Sequence, residues 1–461
     1  MPESTAEPVA VKPGRHREAT LYHALHGAGA GHGPQRTLAQ LREAALAHFY
    51  TSELPVWRRS GFWTTSLQTL DLDALETAPD AVEPGVAPDV VARTLPDRAR
   101  AGRIVQSAGT VVDVELDPAL AERGVILCSL EDAFREHGEL VSEHYSRRLT
   151  IDRHKLEAAN AAFWTGGAFL YVPPGVVVED PFEIVYAIDR PGVAQYGRTL
   201  VVGDRTSEFR VHEYDLAEDF SAGQALHAGA FELYLHDGAR CRLAQFQDWG
   251  SGEVYDVSTR FVGVGRDAYC HWLPSLLGGH LVRQHLELAV TEPGGDMAFR
   301  GLFFTEADEH LAAFAVDLHE TGPSGGDVHW RGAATGESRA SFEGLIQIDP
   351  GAQQTHTYLQ IHTMMLSPRA RLDAIPSVLV SADDVSASHG GTVGELDESA
   401  IFYMQSRGLD RPAAVRLLVE GFFEPVLAQL NDEPLEDLIR TKLTAKLACA
   451  REDIETYATS R

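Results

Sequence analysis

Histidine is in unusual supply along this chain, at twenty of 461 residues. Nine fall between 271 and 389: His271, His280, His285, His310, His319, His329, His356, His362 and His389. Neutral imidazole is a borderline ligand that suits iron, zinc and copper, and its proton exchanges near neutral pH. His356 and His362 are six residues apart, so on one strand they face the same way and could contribute to a metal site. The competing reading is a set of scattered, hydrogen-bonded or solvated histidines. His389 stands apart. It sits at the foot of a glycine-rich turn directly before a helix, in ASHGGTVGELDESAIFYMQSRGL (387–409). Its residue type allows a metal ligand, a general base, or a turn residue with no chemistry.

Other chemistry is sparse. Asp383 and Asp384 could serve a carbohydrate-cleaving enzyme, but neighbours on a strand point to opposite faces and form no dyad. On a turn they are cap residues. No GxxxxGK[ST] loop occurs, so ATP hydrolysis through a Walker loop is not expected. GVGRDA at 263–268 has no helix after it and reads as a turn. HExxH and SxxK are absent. The four cysteines, Cys128, Cys241, Cys270 and Cys449, are scattered and form no CxxC pair. That argues against a disulfide framework or a structural zinc site and fits a reducing cytoplasm.

These residues need a scaffold, and the scaffold is legible. The net charge of −28 argues against nucleic acid or an anionic membrane as partner. There is neither an 18-residue apolar run nor a secretion-type h-region, so a cytoplasmic, non-spanning chain is expected. Residues 1–35 read as a loose N-terminal tail. A helical and mixed region is expected over 36–165, with an amphipathic helix in TLAQLREAALAHFY (37–50), loop over 72–100, short strands over 103–127, and helices at 129–146 and 154–164.

From about 166 to 395 helical periods vanish and short β-type runs replace them. Turn signals fall near Gly238, Ser251, Gly265, Gly279, Gly294, Ala307, Pro323, Gly336, Gly351, Pro368 and Asp383, at gaps of 13 to 17 residues. A repeat of about 28 residues with two strand passes predicts a β-solenoid whose coils stack only on their neighbours. A β-sandwich is the alternative, and the near-constant spacing favours the solenoid. Solenoid ends need caps, and helical flanks on both sides would supply them.

After 396 the pattern is helical again: 396–407 starting at Asp397 and stopped by Gly408, 410–424 opened by Asp410 and broken or kinked by Pro425, and a last helix from Pro434. The last helix carries an apolar stripe at 435, 438, 439, 443, 447, 450, 454 and 457, with Arg440, Lys442, Lys446 and Arg451 nearby. Either the stripe packs on the chain's own core or it is a docking surface.

SADDVSASHGGTVGELDESAIFYMQSRGLDRPAAVRLLVEGFFEPVL closely resembles the signature of the SufB/SufD family of the SUF iron–sulfur cluster assembly system. GGAFLYVPPGVVVEDPFEI (166–184), RTLVVGDRTSEFRVHE (198–213) and ASFEGLIQIDPGAQQTHTYLQIHTMML (340–366) match the family in order, and LPVWRRSGFWTTSL resembles its N-terminal tryptophan segment more loosely. The resemblance implies a right-handed parallel β-helix over 166–395 and a C-terminal helical domain over 396–461 that docks an ATPase. The SHGxTVGxLDExAxFYxxSRG form is similar to the SufD branch. The SufB branch carries Glu where Gly390 stands and cysteines in preceding coils, where this chain has Ile361 and Ala370. Many SufD members have Cys where Ala387 stands, a departure that puts a thiol from this chain in doubt.

The resemblance therefore implies a non-catalytic subunit that pairs with SufB and docks the ATPase SufC, with self-pairing left open where SufB is missing. His389 would lie at the partner interface as a transient metal ligand, with Arg407 beside it to neutralise sulfide or thiolate charge. Phe402, Tyr403, Phe422 and Phe423 would meet the ATPase. No cofactor would be held stably by the isolated chain, and iron or an iron–sulfur cluster would pass transiently through the SufB interface. The competing function is a stand-alone histidine-lined β-helix enzyme or a metal- or ligand-binding module.

Overall fold

The computed structural model describes residues 37–59, 63–77 and 87–450. The expected tail over 1–35 lies outside them, as do Arg451 and stripe positions 454 and 457. The chain is mainly β, with 45% strand and 24% helix, and its centre is a parallel β-solenoid of about 8 turns. One sheet has ten strands and the other eleven. Successive strands alternate between them: Thr355–Met365 lies in the first, Arg371–Val380 in the second, and Val385–Glu395 returns to the first. Every turn expected between Gly238 and Asp383 falls between strands.

Alternation along each strand explains the stacking. In a parallel ladder, paired residues point the same way, so one inward position becomes a column running through the coils. Val211, Leu243, Trp272, Phe299, Val328 and Leu359 form one such column. All six are buried in a single apolar cluster. Turns stack as tightly as strands: a Cβ on Gly336, at φ +65°, would meet Ala307 N and O at 2.8 Å. Only a glycine combines that backbone with that approach.

The flanks differ from expectation in three places. Segment 129–146 is two helices, Leu130–Glu136 and Gly138–His144, broken at His137 (φ −130°, ψ 34°). Gly138 is a poor helix residue, and the break lets Leu130, Ala133 and Val141 reach one core cluster. The expected loop over 72–100 contains a 3₁₀ turn, Leu72–Ala74, and a helix, Asp89–Thr94, whose Val90 and Val91 are buried. Pro425 does not end its helix, which runs over Arg411–Leu427. The proline sits in the last turn, so the bond its missing N–H would have made to the Gly421 carbonyl is lost only near the helix end.

The last helix, Glu433–Cys449, settles its own stripe. Leu435, Ile439, Leu443 and Leu447 are buried in one cluster with Val419, Phe423 and Phe304. Its basic residues are paired within the chain: Lys446 with Glu306 (2.9 Å) and Glu309 (3.0 Å), Lys442 with Asp248 (2.7 Å), and Arg440 with Glu424 (2.6 Å). This stripe is core and not a docking surface. No helix among the described residues is long and apolar enough to cross a membrane.

Candidate functional site: the open end of the solenoid

Coil stacking stops at Arg371–Val380 and Val385–Glu395. Each is the terminal strand of its sheet and has one strand neighbour there. Their outer edges present backbone N–H and C=O groups, a ready template for another chain. The lumen opens here as well, because no further coil covers the inward positions. Val378, Val380 and Val393 are 39%, 42% and 46% exposed. A Cβ on Gly391 would meet Pro376 Cδ at 3.5 Å, so the two last strands face each other across the end of the lumen.

His389 pairs in register with Leu359. It therefore occupies the inward column of Val211, Leu243, Trp272, Phe299, Val328 and Leu359, at the one position where that column reaches the surface. The residue is exposed, and among the described residues its ring has no hydrogen-bond partner. A turn-shaping histidine would hydrogen-bond locally, so this placement leaves the imidazole free to meet an external group. Alternation along Val385, Ala387, His389, Gly391 and Val393 carried this information in the sequence. It was missed because the glycines suggested a turn, whereas 385–395 is one continuous strand.

The other predicted residues scatter. Arg407 lies on the exposed ring of Tyr403, with its Cζ 5.2 Å from the ring centroid and NH2 donating to Tyr403 Oη at 3.2 Å. Among the described residues no contact joins it to His389. Phe402 is 73% exposed and Tyr403 59%, on helix Glu398–Ser406. Phe422 is half-buried beneath Arg331, whose NH1 donates to the Phe422 carbonyl at 2.6 Å. Phe423 is fully buried beside Phe304, so its ring is not available to a partner.

His356 and His362 do share the outward face of Thr355–Met365. Six residues along a strand span about 20 Å, too far for one metal ion. His362 Nδ1 instead lies 2.7 Å from Thr392 Oγ1, and His329 Nε2 lies 2.7 Å from Asp327 Oδ1. Among the described residues no three His, Cys, Asp or Glu side chains are grouped to hold a metal ion. Asp383 and Asp384 sit in the turn before the last strand, where Asp384 N donates to Gln353 Oε1 at 2.8 Å. They are turn residues.

Thiolate chemistry is remote from His389. Cys241 and Cys270 are in-register neighbours inside the lumen, and burial pushes both thiols well up. Burial, with Asp132 and Glu136 nearby, raises the Cys128 thiol to about 12. Ala387 faces the lumen in the column of those two cysteines, through Met297, Gly326 and Thr357. Among the described residues the open coil thus presents one exposed imidazole and no thiolate, beside two strand edges that no further strand covers.

Comparison with known proteins agrees with this architecture. A family model described as "SUF system FeS cluster assembly, SufBD core domain" matches residues 186–422, and one described as "SufBD protein N-terminal region" matches 20–184. The chain is 29% identical over 405 residues to the iron–sulfur cluster assembly protein SufD of Bacillus subtilis, covering 87% of this chain and 89% of that one. It is 23% identical over 409 residues to SufB of the same organism, with 86% of each chain covered. An iron–sulfur cluster assembly SufBD family protein of Staphylococcus epidermidis is 25% identical over 333 residues, covering 72% of this chain and 71% of that one. The core model alone spans more than half of the sequence, and the chain belongs to the SufB/SufD family of iron–sulfur cluster assembly proteins.

Proposed function

We propose that this chain is the SufD-type half of a two-chain scaffold on which SufB supplies the sulfur ligands and SufC supplies ATP hydrolysis. The observation that carries this reading is the placement of His389: lumen-facing, exposed, and central on a terminal coil with two open strand edges. A second solenoid end laid against this face would continue both sheets and bring its own ligands to the imidazole. His389 with a partner's thiolate and carboxylate would form a weak, open site, suited to building a cluster and releasing it. The cluster is cargo in this scheme.

Two features favour the SufD type. Identity is higher to the SufD relative, 29% against 23%. No cysteine lies between Cys270 and Cys449, whereas a chain that builds a cluster alone needs thiolates. Ala387, where many SufD members have Cys, leaves the sulfur ligands to the partner. Phe402 and Tyr403 form the apolar contact for SufC, with Arg407 held against Tyr403 as part of the same surface. ATP-driven closure of two SufC copies would pull on these helices and open the seam at His389.

The test is co-expression with SufB and SufC, followed by anaerobic purification and iron analysis. A stable complex that holds iron with wild-type protein, and assembles intact but iron-poor with His389→Ala, is the expected result. Unchanged iron content in that variant removes His389 from the ligand set. Failure to capture SufB removes the heterodimer.

A further inference from the structure

The solenoid lumen is not apolar throughout. On strand Glu208–Ala217 the inward positions Phe209 and Val211 are followed by Glu213 and Asp215. The facing strand, Glu253–Val264, turns Asp256, Ser258 and Arg260 inward between Val254 and Val262. Glu213 is 2% exposed, Asp215 and Asp256 0%, and Arg260 3%. Three carboxyl groups therefore meet one guanidinium away from bulk solvent. Charge in such a place has to be paired or neutralised.

Neutral donors satisfy Asp256. Trp249 Nε1 and Gln284 Nε2 each donate to its Oδ2 at 3.0 Å, and Ser258 Oγ donates to its Oδ1. Arg260 serves the other two carboxyls: NH1 donates to Glu213 Oε1, and NH2 donates to Asp215 Oδ2 at 3.1 Å. Gln245 Nε2 donates to the same Asp215 oxygen at 2.7 Å. Glu213 Oε2 and Asp215 Oδ1 are left buried without a donor. The remaining titratable neighbours bring no positive charge. His227, in register with Asp256, has Nδ1 3.0 Å from Gln195 Oε1, and burial pushes its imidazole down. Tyr186 Oη lies 2.7 Å from Thr199 Oγ1, and burial pushes this phenol up. Two carboxyls on one guanidinium, each with an empty oxygen, are short of one positive charge. Burial raises both, Asp215 to about 7 with the Glu213 charge adding to the push, while Arg260 opposes it.

We propose that Asp215 and Glu213 share one proton, and that this proton is a pH-sensitive lock on the central coils. With the proton in place Asp215 donates to Glu213, and the pair carries the single negative charge that Arg260 matches. When the proton leaves for bulk water, two carboxylates repel each other where screening is weak. The same strands also anchor the last helix on their outer face: Arg210 NH1 donates to the Asn431 carbonyl at 3.1 Å, and Lys442 Nζ lies 2.7 Å from Asp248 Oδ2. Loosening of these coils therefore passes to the C-terminal helices. A carboxyl raised on folding contributes stability that is lost as pH rises toward its folded value, so the lock is closed in mild acid and opens through neutrality.

Amide exchange of the full chain, corrected for its intrinsic pH dependence, tests this together with infrared spectra of the carboxyl groups. Between about pH 5 and about pH 8, protection of Glu208–Ala217 and Arg240–Asp248 is expected to fall at least about tenfold more in wild type than in Asp215→Asn, because each pKa unit gained on folding is a factor of ten. The asparagine keeps an oxygen for Arg260 and Gln245 and offers Glu213 an N–H in place of the proton, so the variant is expected to fold. Glu309 and the buried histidines titrate in both proteins and cancel in the difference. The wild-type-minus-variant infrared spectrum is expected to show a protonated carboxyl at about pH 5 that is gone by about pH 8. Glu213→Gln, which offers Asp215 an N–H in the same way, takes the place of Asp215→Asn should that variant unfold. Equal pH dependence in wild type and variant, or no protonated carboxyl in the difference spectrum, overturns the proposal. Protection that follows sodium or potassium concentration at fixed pH also overturns it, because a bound cation then supplies the missing charge.

Discussion

Lys446 Nζ lies 3.0 Å from Glu309 Oε1, deep between the last helix and the solenoid. Glu306 completes the arrangement at 2.9 Å, and the Phe304 ring lies 6.0 Å from the ammonium. Lys446 is 2% exposed, so this ion pair is a buried pin holding the C-terminal helices to the coils. Removing one partner of a buried pair costs about 3–5 kcal/mol. Lys446→Met is expected to destabilise the helix–solenoid junction by that order, read as faster amide exchange in Glu433–Cys449. Burial pushes the Glu309 carboxyl up to about 7, and Lys446 opposes the shift. A raised carboxyl contributes stability that is lost as pH rises. The variant should therefore lose more stability between about pH 5 and pH 8 than wild type, and Lys446→Met/Glu309→Gln should recover part of it.

His389 and Val393 lie on the open coil without supporting it. His389→Ala should leave the unfolding free energy within about 0.5 kcal/mol of wild type, as for surface substitutions generally. Val393→Asp should likewise fold but fail to pair, because it buries a charge on the end face. Size-exclusion chromatography of the co-expressed complex separates the two variants. A complex of normal size from Val393→Asp would move the interface elsewhere.

Phe402 and Tyr403 expose their rings, whereas Phe423 is core. Phe402→Ser/Tyr403→Ser should abolish capture of SufC and leave the thermal transition unchanged. Phe423→Ala should cost about 3–5 kcal/mol of stability as a core truncation. Equal SufC capture by the first variant would place the ATPase on another surface.

Glycine spaces the lumen where aromatic rings cross it. A Cβ on Gly332 would fall 1.9 Å from Phe303 Cζ, and one on Gly301 would fall 2.4 Å from Trp330 Cδ2. Gly332→Ala should destabilise by about 1–3 kcal/mol through overpacking, measured by urea unfolding. Gly332→Ala/Phe303→Leu should recover part of that loss.

Acid should loosen the coils through buried imidazoles. Burial is the main cause that pushes His285 and His310 down to about 4. A histidine with a lowered folded value binds fewer protons than the unfolded chain, so its stabilising contribution is lost as pH falls from about 6.5 toward 4. Asp215, pushed up to about 7 mainly by burial, pulls in the opposite sense. The variant difference is therefore the clean readout: His285→Gln should flatten the pH dependence of stability between 4 and 6.5, measured by unfolding at several pH values.

The sequence by itself determined the solenoid. Turn residues from Gly238 to Asp383 recur at a spacing that two strand passes per coil require, and local backbone preference places them without help from distant residues. Asp397, Asp410 and Asp432 capped their helices for the same local reason, each side chain accepting from backbone N–H groups one turn ahead. The family, too, was legible from motifs in a single chain.

Only the tertiary structure decided which faces were covered. The stripe Leu435–Ile439–Leu443–Leu447 has the same pattern whether it meets its own core or a partner, and packing against Val419 and Phe423 chose the core. Arg407 follows His389 by eighteen residues, and the contact the fold gives it is the Tyr403 ring on its own helix. His389 gained its meaning from Leu359, thirty residues earlier and one coil below. Periodicity fixes what repeats along a chain, whereas the end of a stack is defined by the coil that does not follow.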